Sequence, residues 1–198
     1  MANPILSSIL DTKTNSDHRF IRDLSVLERV VRQLKKKGLK IVLTQGVWDL
    51  IHEGHAKYLE AAKSYGDILV VGLDSDELTR ARKGPNRPIV PERERIQMLT
   101  HLRHVDIVTV RDIKHDIGHL VRLIKPDVLV TSTSTADFKE DLAAGTYRDF
   151  CKKIVTLPPQ ATTHTSARVR NLTMEGVEKL ADEVAKLTKD FIKRIRMA

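Results

Sequence analysis

The sequence predicts an α/β fold: a Rossmann-like doubly wound parallel sheet of about five strands, with helices on both faces. The first observation is a series of short, wholly apolar runs, which are typical of parallel strands covered on both sides. The second is that segments with helical spacing of apolar residues separate these runs. The predicted strands are Ile41–Leu43, Ile68–Leu73, Ile107–Val110, Val128–Val130 and Ile154–Leu157.

Helical segments are predicted before, between and after these strands. The first runs from Leu24 to Gly38, a glycine that suits the left-handed residue after a helix end. Further helices are predicted at 55–65, 91–102, 115–124 and 137–150, and an extra C-terminal helix at 174–196. The last carries a stripe of apolar residues that fits packing on its own domain or, alternatively, a homodimer contact: Val177, Leu180, Val184, Leu187, Phe191 and Ile195.

These patterns divide the chain into three parts. Residues 1–19 are predicted to be a flexible leader, 20–171 the main domain and 172–198 the C-terminal amphipathic helix. The single cysteine, Cys151, excludes an intrachain disulfide and favours a cytoplasmic location. No apolar run reaches the ~18–20 residues of a membrane span, and the N-terminus lacks the pattern of a secretory signal.

The net charge of +8 favours an anionic partner, which charge alone does not identify. Nucleotides, sugar phosphates, nucleic acid and membrane surfaces all fit a basic protein. Only 4% of the residues are aromatic, and none are interleaved with the basic residues in the manner that base stacking requires. A nucleic-acid partner is therefore not favoured.

The segment KIVLTQGVWDLIHEGH, residues 40–55, carries the strongest functional signal. Gly46 allows the backbone to approach a ligand closely, and Gly54 does the same where a helix is expected to begin. His52 and His55 are one helical turn apart, so their rings and the first N–H groups of the helix can surround a phosphate. Two histidines also suit a metal, but zinc requires a third protein ligand that the spacing does not identify.

Two further segments contain cations or hydroxyls suited to phosphate. Lys83 and Arg87 flank a Gly-Pro turn, and the alternative is a plain surface loop. Arg95 lies on the next helix, where an ordinary surface ion pair is the alternative. Thr165 and Ser166 precede the last helix, where they can cap it or bind an anion.

Residues 46–76, GVWDLIHEGHAKYLEAAKSYGDILVVGLDSD, resemble the cytidylyltransferase-like nucleotidyltransferase superfamily with its HxGH motif. Residues 83–108, KGPNRPIVPERERIQMLTHLRHVDIV, continue the resemblance. The nearest members are the adenylyltransferase domain of bacterial heptose-phosphate enzymes and glycerol-3-phosphate cytidylyltransferase. The resemblance extends from about Leu24 to Arg170.

The resemblance implies direct attack of an acceptor phosphate on the α-phosphate of an NTP, with release of pyrophosphate. It implies Mg²⁺ held mainly through the nucleotide phosphates, with no residue of the chain assigned as a metal ligand. His52, His55 and Lys83 would stabilise the developing charge as the catalytic groups. Asp49 orients the loop or a histidine, or else caps the following turn. The nucleotide-binding residues by resemblance are Gly46, Val47, Trp48, Asp49, Gly54, Arg87, Arg95, Thr165 and Ser166.

The largest departure from the family pattern lies at residues 130–135, VTSTST, where relatives usually have a glycine, an acidic residue and an aromatic. Ser132, Thr133 and Ser134 are predicted to bind the acceptor through their hydroxyls. The predicted function is a nucleotidyltransferase that uses ATP and a sugar phosphate. The alternatives are a CTP-dependent enzyme acting on an alcohol phosphate such as glycerol 3-phosphate, and a non-catalytic nucleotide-binding module of the same fold.

Overall fold

The computed structural model describes residues 16–133, 147, 149–160 and 165–196, with the backbone alone at 16–17, 165–171 and 189–196. Within this part, five strands form one parallel sheet in the order β3-β2-β1-β4-β5. The predicted fold class is confirmed. The strands are β1 (Ile41–Gly46), β2 (Ile68–Asp74), β3 (Ile107–Arg111), β4 (Val128–Ser132) and β5 (Lys153–Leu157).

Six α-helices and one 3₁₀ turn are described along the same chain. Two compact units are present, residues 1–161 and 162–198. The boundaries inferred from the sequence, at 19/20 and 171/172, stay predictions of domain organisation. The turn is Ser16–Arg19, and the helices are α1 (Leu24–Lys36), α2 (Glu53–Lys63), α3 (Asp76–Lys83), α4 (Glu92–His101), α5 (His119–Ile124) and α6 (Thr165–Arg196).

Apolar side chains on both faces of the sheet form the core, as the unbroken apolar strands predict. On one face, α1 and α5 bury Leu27 and Leu120 against strand residues such as Leu43. On the other face, α2 and α4 bury Leu59 and Leu99. The helix that carries the histidine motif is therefore fixed to the sheet by its own apolar side.

The described helices differ from the sequence prediction in several places. Helix α3 was not predicted, because its sequence DELTRARK has no apolar stripe and its buried residues are only Leu78 and Thr79. Helix α5 begins at His119 instead of 115, since the Asp116 carboxylate accepts from the Gly118 N–H at 2.8 Å and forms a turn there. Helix α6 begins at Thr165, before the predicted residue 174.

Some predicted features fall partly or wholly outside the described residues. These are residues 1–15 of the leader, Ser134, and most of the helix expected at 137–150. In the rest of the leader, Arg19 is the last residue of the 3₁₀ turn and donates to the carbonyls of Thr100 and Val105, each at 3.3 Å. No helix among the described residues combines the length and the apolar character needed to cross a bilayer.

The strand order places a topological switch point between β1 and β4. From β1 the chain adds β2 and then β3 on one side, whereas β4 and β5 are added on the other. In doubly wound sheets, ligands bind in the crevice beyond the carboxyl ends of the strands at such a point. The histidine motif follows the carboxyl end of β1 directly.

Candidate active site

The loop after β1 reverses direction through two bulky residues in left-handed conformations. Trp48 has φ 57° and Leu50 has φ 45°, values that non-glycine residues seldom adopt. The Trp48 indole lies beside Gly46, where an added Cβ would be 3.4 Å from the ring, and its Nε1 donates to the Gly72 carbonyl at 3.2 Å. The loop is thereby attached to β2.

The two histidines form the start of α2 by capping it reciprocally. His52 Nδ1 accepts from the Gly54 N–H at 3.0 Å, and His55 Nδ1 accepts from the His52 N–H at 3.3 Å. A ring nitrogen that accepts carries no proton, so the neutral ring holds its proton on Nε2. The ring centroids are 4.1 Å apart. The helix start therefore presents two imidazole donors on one side, in a tautomer fixed by backbone contacts.

Asp49 connects the loop at residues 87–90, which is distant in sequence, to the segment that carries the histidines. Its carboxylate accepts from the backbone N–H groups of Ile89 and Val90, at 3.0 and 2.9 Å, and from the Arg87 guanidinium at 2.9 Å. Burial by itself would raise the pKa of Asp49, but the two N–H donors and Arg87 lower it below its usual value. In the structure Asp49 holds the 87–90 segment; orienting a histidine, capping the following turn and binding nucleotide stay predictions.

Lys83 is the last residue of α3 and lies close to this loop. Although the residue is exposed, partial burial of its ammonium lowers the pKa of Lys83, and the cations Arg82 and Arg87 lower it further. The carboxylates of Asp74 and Asp49 act in the opposite direction. No described residue accepts a hydrogen bond from this ammonium. An anion would stabilise its charged form.

Arg95 is 1% exposed and joins several segments around the site. Its Nε donates to the Val90 carbonyl at 2.9 Å, and its Nη1 donates to the carbonyls of Val47 and Asp74. Its Nη2 donates to the Asp76 carboxylate. The surface ion pair considered as an alternative does not describe this buried residue, and a direct nucleotide contact stays a prediction.

A buried ion cluster beneath the site was missed in the sequence. Asp74, at the carboxyl end of β2, is fully buried and accepts from Arg111 Nε and Nη2 at 3.0 and 2.8 Å. Arg82 donates to the other oxygen. Both Asp74 and Arg111 are charged residues that end apolar strands, and that position is the signal that would have identified them.

The remaining predicted site residues are spread over three places. Gly54 is buried in the first turn of α2. Ser132 ends β4, and Thr133 follows it with its N–H donating to the Leu157 carbonyl at 3.0 Å. Thr165 and Ser166 begin α6 in the second compact unit, and phosphate binding by them stays a prediction.

Direct metal ligation by the chain was not predicted. In the described ranges, no cluster of three or more histidine, cysteine, aspartate or glutamate side chains is arranged to hold a metal ion. The carboxylates of Asp49 and Asp74 are engaged by arginines and, for Asp49, by backbone N–H groups.

Comparison with protein families gives one match, to the family described as cytidylyltransferase-like, over residues 43–173. Among curated proteins, the bifunctional protein HldE of Desulfatibacillum aliphaticivorans is 36% identical over 152 residues, which is 75% of this chain and 30% of that protein. HldE of Geobacter metallireducens is 41% identical over 126 residues, 64% of this chain and 25% of that protein. The chain thus spans about a quarter to a third of the length of these relatives.

Two solved structures share the fold. A lipopolysaccharide core biosynthesis protein from Thermoplasma volcanium aligns with a TM-score of 0.53 and 30% identity, covering 61% of this chain and 97% of the other. A pantoate-beta-alanine ligase from Francisella tularensis, in complex with beta-gamma ATP and beta-alanine, aligns with a TM-score of 0.55. It is 18% identical and covers 77% of this chain and 72% of its own, so the likeness extends to the fold alone.

Proposed function

The chain belongs to the cytidylyltransferase-like family, and from that membership we propose that it joins an NTP to a small phosphorylated acceptor with release of pyrophosphate. The predicted family is confirmed by the family match and the relatives, and nucleotidyl transfer is the activity proposed from it. A sugar phosphate is the preferred acceptor and ATP the preferred nucleotide.

The histidine pair at the start of α2 is the observation that supports the reaction. Both Nδ1 atoms accept backbone protons, so both rings carry their remaining proton on Nε2. Two such donors, fixed before any substrate arrives, suit a transition state in which negative charge moves onto the leaving pyrophosphate. Neutral rings act here as hydrogen-bond donors.

In the proposed step, an oxygen of the acceptor phosphate attacks the α-phosphorus of the NTP. One phosphorus–oxygen bond forms there as the bond to the β-phosphate breaks, and pyrophosphate leaves. His52 and His55 would donate to phosphate oxygens, and Lys83 would neutralise charge on the triphosphate. No covalent intermediate with the protein is required, because the chain only orients the phosphates and stabilises their charge.

Mg²⁺ is proposed to accompany the nucleotide, as the resemblance implies. Mg²⁺ keeps several waters and is commonly held by substrate phosphates with few protein ligands, which fits a site whose carboxylates are already engaged. When bound, it would supply charge neutralisation on the phosphate oxygens. Lys83 and the two histidines would hold the remaining phosphate charge.

The choice of nucleotide and acceptor rests on the resemblance of residues 79–102 to the heptose-phosphate enzymes and on the hydroxyls of Ser132 and Thr133. Ser132 is partly buried at the switch point, where an acceptor would lie. The alternative is CTP with an alcohol phosphate.

A pyrophosphate-release assay that crosses ATP and CTP with sugar phosphates and alcohol phosphates tests the proposal. Turnover with ATP and a sugar phosphate is expected, and turnover with CTP and glycerol 3-phosphate would select the alternative. His104→Ala serves as a matched control, since His104 lies on the surface 3.8 Å from Glu60.

Nucleotide binding without turnover across the whole panel would instead indicate a non-catalytic binding module.

A cytoplasmic location stays a prediction. A homodimer also stays a prediction, suggested by the α6 stripe, in which Val177, Leu180, Val184 and Leu187 are 53–69% exposed. The oligomeric mass measured by light scattering would test it.

A further inference from the structure

Strand β1 is paired very differently along its two edges. On the β2 side, Ile41–Gly46 pair with Ile68–Leu73 over six consecutive residues. On the β4 side, only Val42 with Val128 and Leu43 with Leu129 are paired. Both strands continue beyond these pairs toward the switch point. In this register Thr44 and Val130 would form the next pair, and that pair is absent from the described ladder.

The hydroxyl of Tyr58 contacts both residues of the missing pair. It donates to the Val130 carbonyl at 3.2 Å and lies 2.9 Å from Thr44 Oγ1. A carbonyl can only accept, so the single phenol proton is directed to Val130 and Thr44 donates to the phenol oxygen. Burial raises the pKa of Tyr58, which the bond from Thr44 partly offsets, so the phenol stays a neutral donor.

Tyr58 also connects this gap to the histidine motif. It lies on α2, one helical turn after His55. The rings of Tyr58 and His55 both lie against the Trp48 indole, with centroid distances of 5.9 and 5.6 Å. The indole is itself bonded to β2 through Gly72. One side chain therefore joins the histidine-bearing helix to both β1 and β4.

We propose that Tyr58 is a positioning residue whose hydroxyl keeps the carboxyl ends of β1 and β4 apart, so that the acceptor can lie beside the histidines. This inference rests on the proposed function. The imidazole donors of His52 and His55 and the ammonium of Lys83 are positioned by other contacts, so they do not depend on the Tyr58 hydroxyl. Without the hydroxyl, the Val130 carbonyl loses its donor. Further backbone hydrogen bonds between β4 and β1 then become favourable, and such pairing narrows the crevice.

The expected signature is a split between nucleotide binding and turnover. In Tyr58→Phe the ring contacts with Trp48 are kept and only the hydroxyl is lost. Affinity for ATP or CTP should change by less than about 3-fold, whereas kcat falls about 10-fold or more, since small displacements of reacting groups are costly. Thr44→Val removes the donor to the phenol and leaves the bond to Val130, so its effect should be smaller.

Trp48 is the single tryptophan of the chain, so its fluorescence reports nucleotide binding without any acceptor. Full-length wild type, Tyr58→Phe and Thr44→Val are titrated with ATP and with CTP, and turnover is measured with the acceptor found in the panel. Tyr65→Phe is the matched control, since Tyr65 lies before the amino end of β2 with the Lys153 ammonium 5.6 Å from its ring.

Hydrogen exchange provides a readout that is independent of catalysis. Tyr58→Phe should alter exchange in the peptides covering residues 44–46 and 130–132, with Tyr65→Phe unchanged. Unaltered exchange there together with unaltered kcat and KM would overturn the inference. So would a parallel loss of affinity, turnover and thermal stability. If wild type binds nucleotide without turnover, the proposed function fails, and the exchange experiment still decides the role of Tyr58.

Discussion

The two segments that are proposed to face the phosphates are constructed on different principles. Residues 46–55 hold their histidines with bonds made within three residues, from His52 to Gly54 and from His55 to His52. Residues 83–95 depend on partners far away in sequence, through Asp49 and Arg95. The short-range hydrogen bonds form whenever α2 forms, whereas the long-range contacts require the folded sheet. Substitutions should therefore affect function locally in the first segment and stability or loop order in the second.

The largest effect is expected from Arg95→Met in the long-range segment. Removing this buried guanidinium leaves three backbone carbonyls without a donor, which should lower the free energy of unfolding by about 3 kcal/mol. Denaturant unfolding measures the change. Arg93→Met, two residues away and exposed, should shift it by less than about 0.5 kcal/mol. A stable Arg95→Met protein with weakened nucleotide binding would favour the predicted nucleotide contact instead.

The next largest effect is a loss of turnover when the histidines are replaced by residues that can still cap α2. Asparagine is a good N-cap residue and glutamine suits the third position of a capping box, so His52→Asn and His55→Gln should preserve α2. Turnover should nevertheless fall roughly 10²-fold, because the fixed imidazole donors are lost. Steady-state kinetics and thermal melts are compared with His104→Ala. Wild-type turnover in both capped variants would limit the histidines to a capping role.

A smaller effect is expected at Lys83. Lys83→Ala should weaken NTP binding about 10-fold, while Lys36→Ala, on the exposed end of α1, should not change it. The lowered pKa of Lys83 predicts that kcat/KM declines with rising pH before the ordinary lysine range near ~10.4 is reached. In Lys83→Arg this decline should move to higher pH. An unchanged pH profile would separate Lys83 from nucleotide capture.

The smallest effect is expected from the pH dependence of Asp49. Its pKa is lowered in the folded protein, so the carboxylate contributes stability above its unfolded pKa of ~3.9, and that stability is lost as pH falls through the lower folded value. Tm measured from pH 7 to pH 3 should therefore fall less in Asp49→Asn than in wild type. An identical fall in the two proteins would indicate that the carboxylate does not stabilise the 87–90 segment.

Short-range patterns explain what the sequence predicted well. The five apolar runs identified all five described strands, because strands buried on both faces tolerate few polar residues. The histidine spacing identified the start of a helix at the carboxyl end of β1, although α2 begins at Glu53, two residues before the predicted start. The capping role of the histidine rings was not predicted, since serine, threonine, aspartate and asparagine are the usual signals.

The amino-acid sequence by itself determined the doubly wound fold, the family and the order of the segments predicted to face phosphate, because each depends on residue types within a few positions of one another. Tertiary structure alone decided that Asp49 holds the 87–90 loop, that Arg95 is buried among four acceptors, and that Tyr58 lies between β1 and β4. Apart from the bond from Arg95 to the Val90 carbonyl, these contacts join residues separated by 14 to 72 positions in the chain. No local pattern encodes them, since they exist only after the parallel strands have brought their carboxyl ends to one edge.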